Sequence, residues 1–182
     1  NDSTNLGIHR KIDRHFWDHF KEYILLKKES PRETKIVEKL DQISSLILSR
    51  MEDPHRDGAW DRRGMVVGNV QAGKTENYTA LLTKAADAGY KLVIILTGGH
   101  ENLRCQAQLR LNEEFIGFDI GGQDEEIIGV KKMFKDHKKV STLTTRAERG
   151  DFSRKIAKHA FTHPSKKGSP FILITKKSTP II

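Results

Sequence analysis

Residues 68–75 of this chain read Gly68-Asn69-Val70-Gln71-Ala72-Gly73-Lys74-Thr75. The stretch matches the phosphate-loop pattern G-x-x-x-x-G-K-[ST] at every fixed position. Before it, the apolar run at residues 65–67 predicts a short buried strand, and after it residues 76–88 predict a helix. Strand, glycine loop and helix in this order form the context in which the pattern binds a nucleotide. The sequence therefore predicts an α/β fold of the P-loop NTPase (RecA-like) type, with a parallel sheet and flanking helices.

The residue types in this loop suit phosphate chemistry. Gly68 and Gly73 let the backbone turn tightly and approach a phosphate closely. The loop N–H groups then form an anion-binding concavity, and the next helix points its positive end at it. Lys74 is the predicted catalytic residue and would reach the β- and γ-phosphates, while the Thr75 hydroxyl would ligate Mg²⁺. The predicted cofactors are ATP and Mg²⁺. An ordinary strand-to-helix turn is the alternative, but such a turn requires neither Lys74 nor Thr75.

Composition limits the class of protein and its partners. The chain has 182 residues, 36% hydrophobic and 31% charged, which is enough for a globular domain with an appendage. It lacks an apolar run long enough to span a bilayer, so we expect no membrane partner. The formal net charge of +8 favours a phosphate-rich partner such as nucleic acid, although a merely soluble basic surface is the alternative. The lone cysteine, Cys105, fits a reducing cytoplasm. Because the chain does not begin with Met, we expect it to be part of a longer polypeptide.

Two amphipathic helices are predicted before the phosphate loop. Residues 9–27 carry apolar side chains at four-residue spacing: Ile12, Phe16, Phe20 and Ile24. A second helix is predicted from Pro31 to about Arg50, with Ser30 as its N-cap. Its predicted buried stripe consists of Ile36, Leu40, Ile43 and Ile47. We interpret residues 1–58 as an N-terminal helical appendage and residues 59–182 as the ATPase domain, which we expect to be truncated at its C-terminus.

Downstream of the loop the sequence alternates between strands and helices. The continuous apolar run at residues 91–96 predicts a strand buried on both faces, forming a right-handed βαβ unit with the strand at 65–67. A helix follows at 102–115, and its predicted inner face consists of Leu103, Ala107, Leu111 and Phe115. Further predicted elements are a short strand at 141–145, a helix at 151–161 and a buried strand at 170–175.

A family resemblance covers residues 60–118 well and residues 140–177 loosely. Residues 64–81, including the phosphate loop, resemble the bacterial Z-one domain family, whose members are described as endonucleases with a superfamily-two helicase-like ATPase. Residues 92–98, and the polar residues after them, resemble the second motif of such motors. The resemblance implies an ATP-driven motor that acts on nucleic acid, with DNA the expected partner. It also implies that residues after the second strand contact the nucleic-acid backbone, and the candidates are His100, Arg104 and Gln108. A polar helix face is the alternative for Arg104 and Gln108.

One departure from the family pattern affects the expected activity. Motors of this type hold Mg²⁺ with an acidic pair at the end of a later strand, and no apolar strand of this sequence ends in Asp-Glu. We therefore expect this chain alone to bind nucleotide weakly and to hydrolyse it poorly. Two other functions fit the loop: a nucleotide kinase-like phosphotransferase, and a regulatory nucleotide-binding module without turnover.

Overall fold

The computed structural model describes residues 12–28, 31–67, 74–119, 125–147, 150–152 and 169–177. The chain forms two compact units, Asn1–Tyr90 and Lys91–Ile182. The first unit is helical, and the second contains a three-stranded parallel sheet with flanking helices. The mixed α/β class is therefore confirmed. The division falls after Tyr90, whereas the sequence predicts a domain boundary after residue 58, and that boundary stays a prediction.

Three helices build the first unit: α1 (His15–Lys28), α2 (Pro31–Ser49) and α3 (Lys74–Ala88). Each packs against the other two, and small side chains on α3 permit the close approach. The predicted helical pair and the helix after the phosphate loop are confirmed. The buried apolar residues include Phe16, Trp17, Phe20, Ile24, Val37, Leu40, Leu48, Ala80, Ala85 and Ala88. Among the described residues, no helix combines the length and apolar content that a membrane crossing requires.

The buried face of α2 differs from the predicted stripe. The buried positions are Val37, Leu40, Ser44 and Leu48, while Ile43 is 42% exposed. Apolar residues flank the stripe on both sides, so their spacing alone does not decide which set faces the other helices. Ser44 is accommodated because its hydroxyl donates to the Leu40 carbonyl oxygen one turn earlier.

Hydrogen bonds fix the C-terminal end of α3 and join it to the N-terminus of α1. The Asp87 carboxylate on α3 accepts the N–H of Phe16 at 2.9 Å and the N–H of Trp17 at 3.0 Å. It thereby caps the N-terminus of α1 from another helix and places a negative charge at its positive end. Gly89, at φ +97°, ends α3, and the Tyr90 N–H donates to the Ala85 carbonyl at 3.0 Å. This is the Schellman arrangement, in which a glycine with positive φ ends the helix.

The predicted strand at residues 65–67 is wrong. These residues have no regular secondary structure, and their side chains are exposed, with Met65 at 86%. A strand requires a partner that completes its hydrogen-bond ladder, and none of the described strands pairs with this run. The predicted βαβ unit, which depended on this strand, is therefore not formed among the described residues.

The second unit is organised around β5 (Phe171–Lys176). This strand lies between β1 (Leu92–Thr97) and β4 (Ser141–Thr142), and both pairs are parallel. The side chains of β5 are buried from Phe171 to Ile174, as expected for the centre of a parallel sheet. The strands predicted at 91–96, 141–145 and 170–175 are confirmed.

The remaining elements of this unit lie between β1 and β4 in the chain. They are α4 (Glu101–Leu111), a π-helical turn (Asn112–Ile116), the antiparallel pair β2 (Phe118–Asp119) and β3 (Glu126–Ile127), and α5 (Gly129–Met133). Gly117, at φ +82°, ends the π-helical turn. The helix predicted at 151–161 falls mainly on residues 153–161, outside the described part of the chain.

The prediction that β1 is buried on both faces is wrong. Its side chains alternate between half-buried and exposed, with Ile94 at 56% and Leu96 at 66% exposure. Successive side chains of a strand point to opposite faces, and α4 packs against this sheet. In the described structure, one face of β1 is therefore covered in part and the other is open.

Removing the carboxylate of Asp87 should destabilise the first unit. Asp87→Ala leaves two N–H groups of α1 without their acceptor, which costs about 1 kcal/mol in comparable helix caps. We expect a lower urea midpoint, followed by tryptophan fluorescence, since both tryptophans, Trp17 and Trp60, lie in this unit. Asp57→Ala, in an exposed loop, is the matched control. Equal midpoints for the two variants would contradict the capping role.

Candidate functional site

The phosphate-loop motif meets the structure at the start of α3. The described part of α3 runs from Lys74 to Ala88, so a helix follows the loop as the motif requires. Residues 68–73, and the side chains of Lys74 and Thr75, lie outside the described part of the chain. The roles of Gly68, Asn69, Val70, Gln71, Ala72, Gly73, Lys74 and Thr75 in binding ATP and Mg²⁺ therefore stay predictions.

A buried lysine on α3, Lys84, links this helix to α2. The Lys84 ammonium contacts the Asp41 carboxylate at 2.5 Å, the Asp41 carbonyl oxygen at 2.7 Å and the Ser45 hydroxyl at 2.7 Å. It also lies 4.2 Å from the ring centroid of Trp17, within the range of a cation–π interaction. All three of its hydrogen-bonding protons thus have an oxygen partner.

Asp41 is held ionised by this arrangement. Burial acts to raise the pKa of its carboxyl group, but the hydrogen bond and charge of Lys84, joined by Arg14, bring that pKa below its ordinary value. Arg14 contacts the second carboxylate oxygen at 3.2 Å. Lys84 is buried while Asp41 is 33% exposed, so removing the carboxylate would leave the buried ammonium without its charged partner, which is costly. The pair therefore sets the position of the helix that carries the motif.

The segment that leads toward the loop is tied to the same unit through Glu52. Its carboxylate, only 7% exposed, accepts from Arg56 at 3.0 Å and from Arg62 at 3.1 Å. The Arg62 hydrogen bond is the main reason that the pKa of Glu52 lies below its ordinary value. Its backbone carbonyl accepts the Tyr90 hydroxyl at 2.6 Å, and the Trp60 ring stands edge-on to Tyr90 at 6.2 Å.

A second group of polar residues lies where β1 and β5 end, in the second unit. We name Glu101, Arg104 and Lys176 the sheet-edge cluster. One Glu101 oxygen accepts from Arg104 Nε at 2.8 Å, and the other contacts the Lys176 ammonium at 2.8 Å. The Arg104 hydrogen bond, followed by that of Lys176, lowers the pKa of Glu101 from 4.5 to about 2. The carboxyl edge of a parallel sheet is where open α/β proteins bind ligands.

The expected orientation of Arg104 is wrong. The sequence places Arg104 and Gln108 away from the inner face of their helix, but both are fully buried, while Leu103 is 46% exposed. The guanidinium of Arg104 also donates to the carbonyl oxygens of Thr145 at 2.7 Å and Ala147 at 3.4 Å. A buried guanidinium is stable here because every side of the planar group meets an oxygen. In this structure Arg104 holds a loop and does not present its charge to solvent.

Gln108 has a similar internal role. Its side-chain oxygen accepts the Thr144 hydroxyl at 2.8 Å, and its nitrogen donates to the Asn112 side chain at 2.9 Å. The Thr144 hydroxyl in turn accepts the N–H of Ile174 at 3.0 Å, in the central strand. The network continues from Asn112 to the buried Asp119 at 2.9 Å. Satisfied buried networks of this kind fix one arrangement of the elements they join.

His100 is the one predicted nucleic-acid candidate that the structure leaves at the surface. It precedes α4 with extended backbone, and its exposed side chain makes no capping hydrogen bond. Lys177 is exposed at the same edge, and Lys176 is 36% exposed beside Glu101. The exposed cationic groups of this edge therefore come from the end of β5, which periodicity in the sequence did not single out as functional.

Among the described strands none ends in an Asp-Glu pair, so the second Mg²⁺-holding element expected of a motor has no counterpart there. The three strands of the parallel sheet end in Thr97, Thr142 and Lys176. Comparisons with family models, with curated proteins and with solved structures found no match. The resemblance to the Z-one domain family therefore stays a hypothesis.

Stability of the second unit should depend on the charge of Glu101. Because its folded-state pKa lies below the unfolded value, the ionised carboxylate stabilises the fold above pH ~4.5, and this contribution is lost as the pH falls toward 2. We expect the stability difference between the wild-type chain and Glu101→Gln, from urea unfolding followed by circular dichroism, to shrink across that range. Glu126→Gln, exposed on β3, serves as the control. A difference that is independent of pH would contradict the ion-pair role.

Proposed function

We propose that this chain is the nucleotide-binding part of an ATP-dependent, helicase-like motor that acts on nucleic acid. The observation that carries the proposal is the complete phosphate-loop motif at residues 68–75, together with the helix α3 that follows it. In this proposal Lys74 contacts the β- and γ-phosphates, Thr75 ligates Mg²⁺, and the loop N–H groups bind the phosphate oxygens. The P-loop NTPase fold is the finer assignment within the mixed α/β class.

Two features support the motor over other users of the same loop. The net charge of +8 favours a polyanionic partner, and the parallel sheet of the second unit presents basic residues at its carboxyl edge. A kinase-like phosphotransferase would instead turn over ATP with a nucleoside monophosphate, without any response to DNA. A regulatory module would bind ATP through Lys74 without turnover. The two alternatives are therefore separable from the motor by the reaction that each predicts.

Nucleotide binding by this chain should depend on Lys74. We expect Lys74→Ala to weaken MgATP binding at least ~10-fold, about 1.4 kcal/mol, because the lysine charge faces the phosphates. The measurement is titration calorimetry with MgATP, repeated with excess EDTA, which should also weaken binding if Mg²⁺ bridges Thr75 and the phosphates. Lys35→Ala removes the same charge from an exposed position on α2 and is the control.

MgATP binding and ATP turnover together separate the motor from the phosphotransferase and the regulatory module. No detectable MgATP binding by the wild-type chain, or equal binding by Lys74→Ala, would reject the nucleotide site. If binding depends on Lys74, ATP turnover is measured with and without single- and double-stranded DNA. Turnover that DNA stimulates supports the motor, and phosphate transfer to a nucleoside monophosphate without a response to DNA favours the phosphotransferase. Binding that depends on Lys74 but is not followed by turnover favours the regulatory module.

A further inference from the structure

Half of the net positive charge lies in one short segment of the second unit. Residues 129–140, which we name the basic loop, contain five lysines and one aspartate, a net charge of +4 out of the chain's +8. Lys132, Lys135 and Lys138 are exposed, as is Lys139, whose ammonium lies 3.5 Å from Glu125 and 5.4 Å from the Phe118 ring centroid. The positive charge is therefore concentrated at the surface of one short segment of the chain.

The basic loop is held in shape by its own interior contacts. The fifth lysine, Lys131, points inward and donates to the carbonyl oxygens of Lys135 at 2.5 Å and His137 at 2.8 Å. A ring nitrogen of His137 bonds the Phe115 carbonyl oxygen at 2.8 Å, on the π-helical turn. Gly129, at φ +49°, lies so close to the Glu113 backbone that no larger residue fits. The backbone that carries the exposed lysines is therefore fixed before any partner binds, which lowers the entropic cost of binding.

From this arrangement we propose that the basic loop binds the phosphate backbone of a nucleic acid. The inference rests on the proposed function, and it places the nucleic-acid contact at a surface other than Arg104 and Gln108, which are buried. Exposed lysines on a fixed backbone contact phosphates without reading the base sequence. Binding through them should be strongly salt-dependent, because each neutralised phosphate releases a counterion.

A lipid surface is less suited to this loop. Stable adsorption to a bilayer is favoured by an apolar face beside the charges, usually on an amphipathic helix. The basic loop contains a helix of five residues, and Met133, at 42% exposure, is the large apolar side chain that it exposes. The charge is thus present without the apolar area that would insert beside it.

The test compares two triple variants of the 182-residue chain that lose the same charge. One carries Lys132→Gln, Lys135→Gln and Lys138→Gln, and the control carries Lys21→Gln, Lys35→Gln and Lys39→Gln on exposed positions of α1 and α2. Binding to fluorescein-labelled single-stranded and duplex DNA is followed by anisotropy from roughly 50 to 200 mM salt. We expect the loop variant to bind about tenfold more weakly and its salt slope to fall by about one per lysine. The control should retain wild-type affinity and slope.

Each other outcome overturns the inference. Equal losses in the two variants would show that net charge alone attracts DNA, and unchanged binding by the loop variant would place the contact elsewhere. Binding of phosphatidylserine vesicles through these lysines, without binding of DNA, would also contradict the inference. A triple Lys→Arg variant, which keeps the charge and should keep DNA binding, excludes misfolding as the cause of a loss. MgATP binding is measured in parallel. If the loop variant keeps its DNA affinity while MgATP still binds through Lys74, only the inference about the basic loop is rejected.

Discussion

The placement of α3 is set by two charged side chains on its C-terminal half. Asp87 caps the first turn of α1, and Lys84 is enclosed by Asp41, Ser45 and the Trp17 ring. These contacts fix the helix independently of its N-terminal end, where Lys74 and the phosphate loop lie in sequence. Hence α3 is ordered against its neighbours although residues 65–67, before the loop, form no strand.

In the second unit, too, hydrogen bonds of buried polar side chains hold a helix in place. Arg104 and Gln108 sit on the buried face of α4, and every polar atom of the guanidinium that is turned inward meets an oxygen. Leaving one buried partner unsatisfied costs about 1–3 kcal/mol, so such networks hold loops in one position. Here the network joins α4 to the segment after β4 and, through Thr144, to the central strand. The sheet-edge residues that remain exposed to a ligand, His100 and Lys177, therefore lie outside this network.

Local sequence patterns predicted where helices and strands form better than they predicted which side chains are buried. The four-residue apolar spacing in residues 12–24 is a property of one segment, and the predicted helix is formed there. The burial of Arg104 depends on carbonyl groups about 40 residues away, which no spacing within its helix encodes. For the same reason the exposed face of β1 and the rotated face of α2 escaped prediction, since both depend on which neighbours pack there.

The functional prediction divides in the same way. The phosphate-loop motif is local, so its eight residues can be identified from the sequence alone. The helix after it is confirmed, and the binding role of the loop stays a prediction. The nucleic-acid candidates depended on a helix face, and two of the three proved to be buried. The run of lysines at 131–139 was visible in the sequence, but only the inward contacts of Lys131 and His137 show it to be a fixed surface.

The central claim is that the backbone of residues 68–75 binds nucleotide phosphates. Hydrogen exchange, followed by mass spectrometry with and without saturating MgATP, tests it at the level of the site. The account predicts slower exchange in peptides that span residues 68–75, because their N–H groups would donate to phosphate oxygens, and no such slowing in Lys74→Ala. Exchange in these peptides that MgATP leaves unchanged, or slowing confined to other segments, would contradict it.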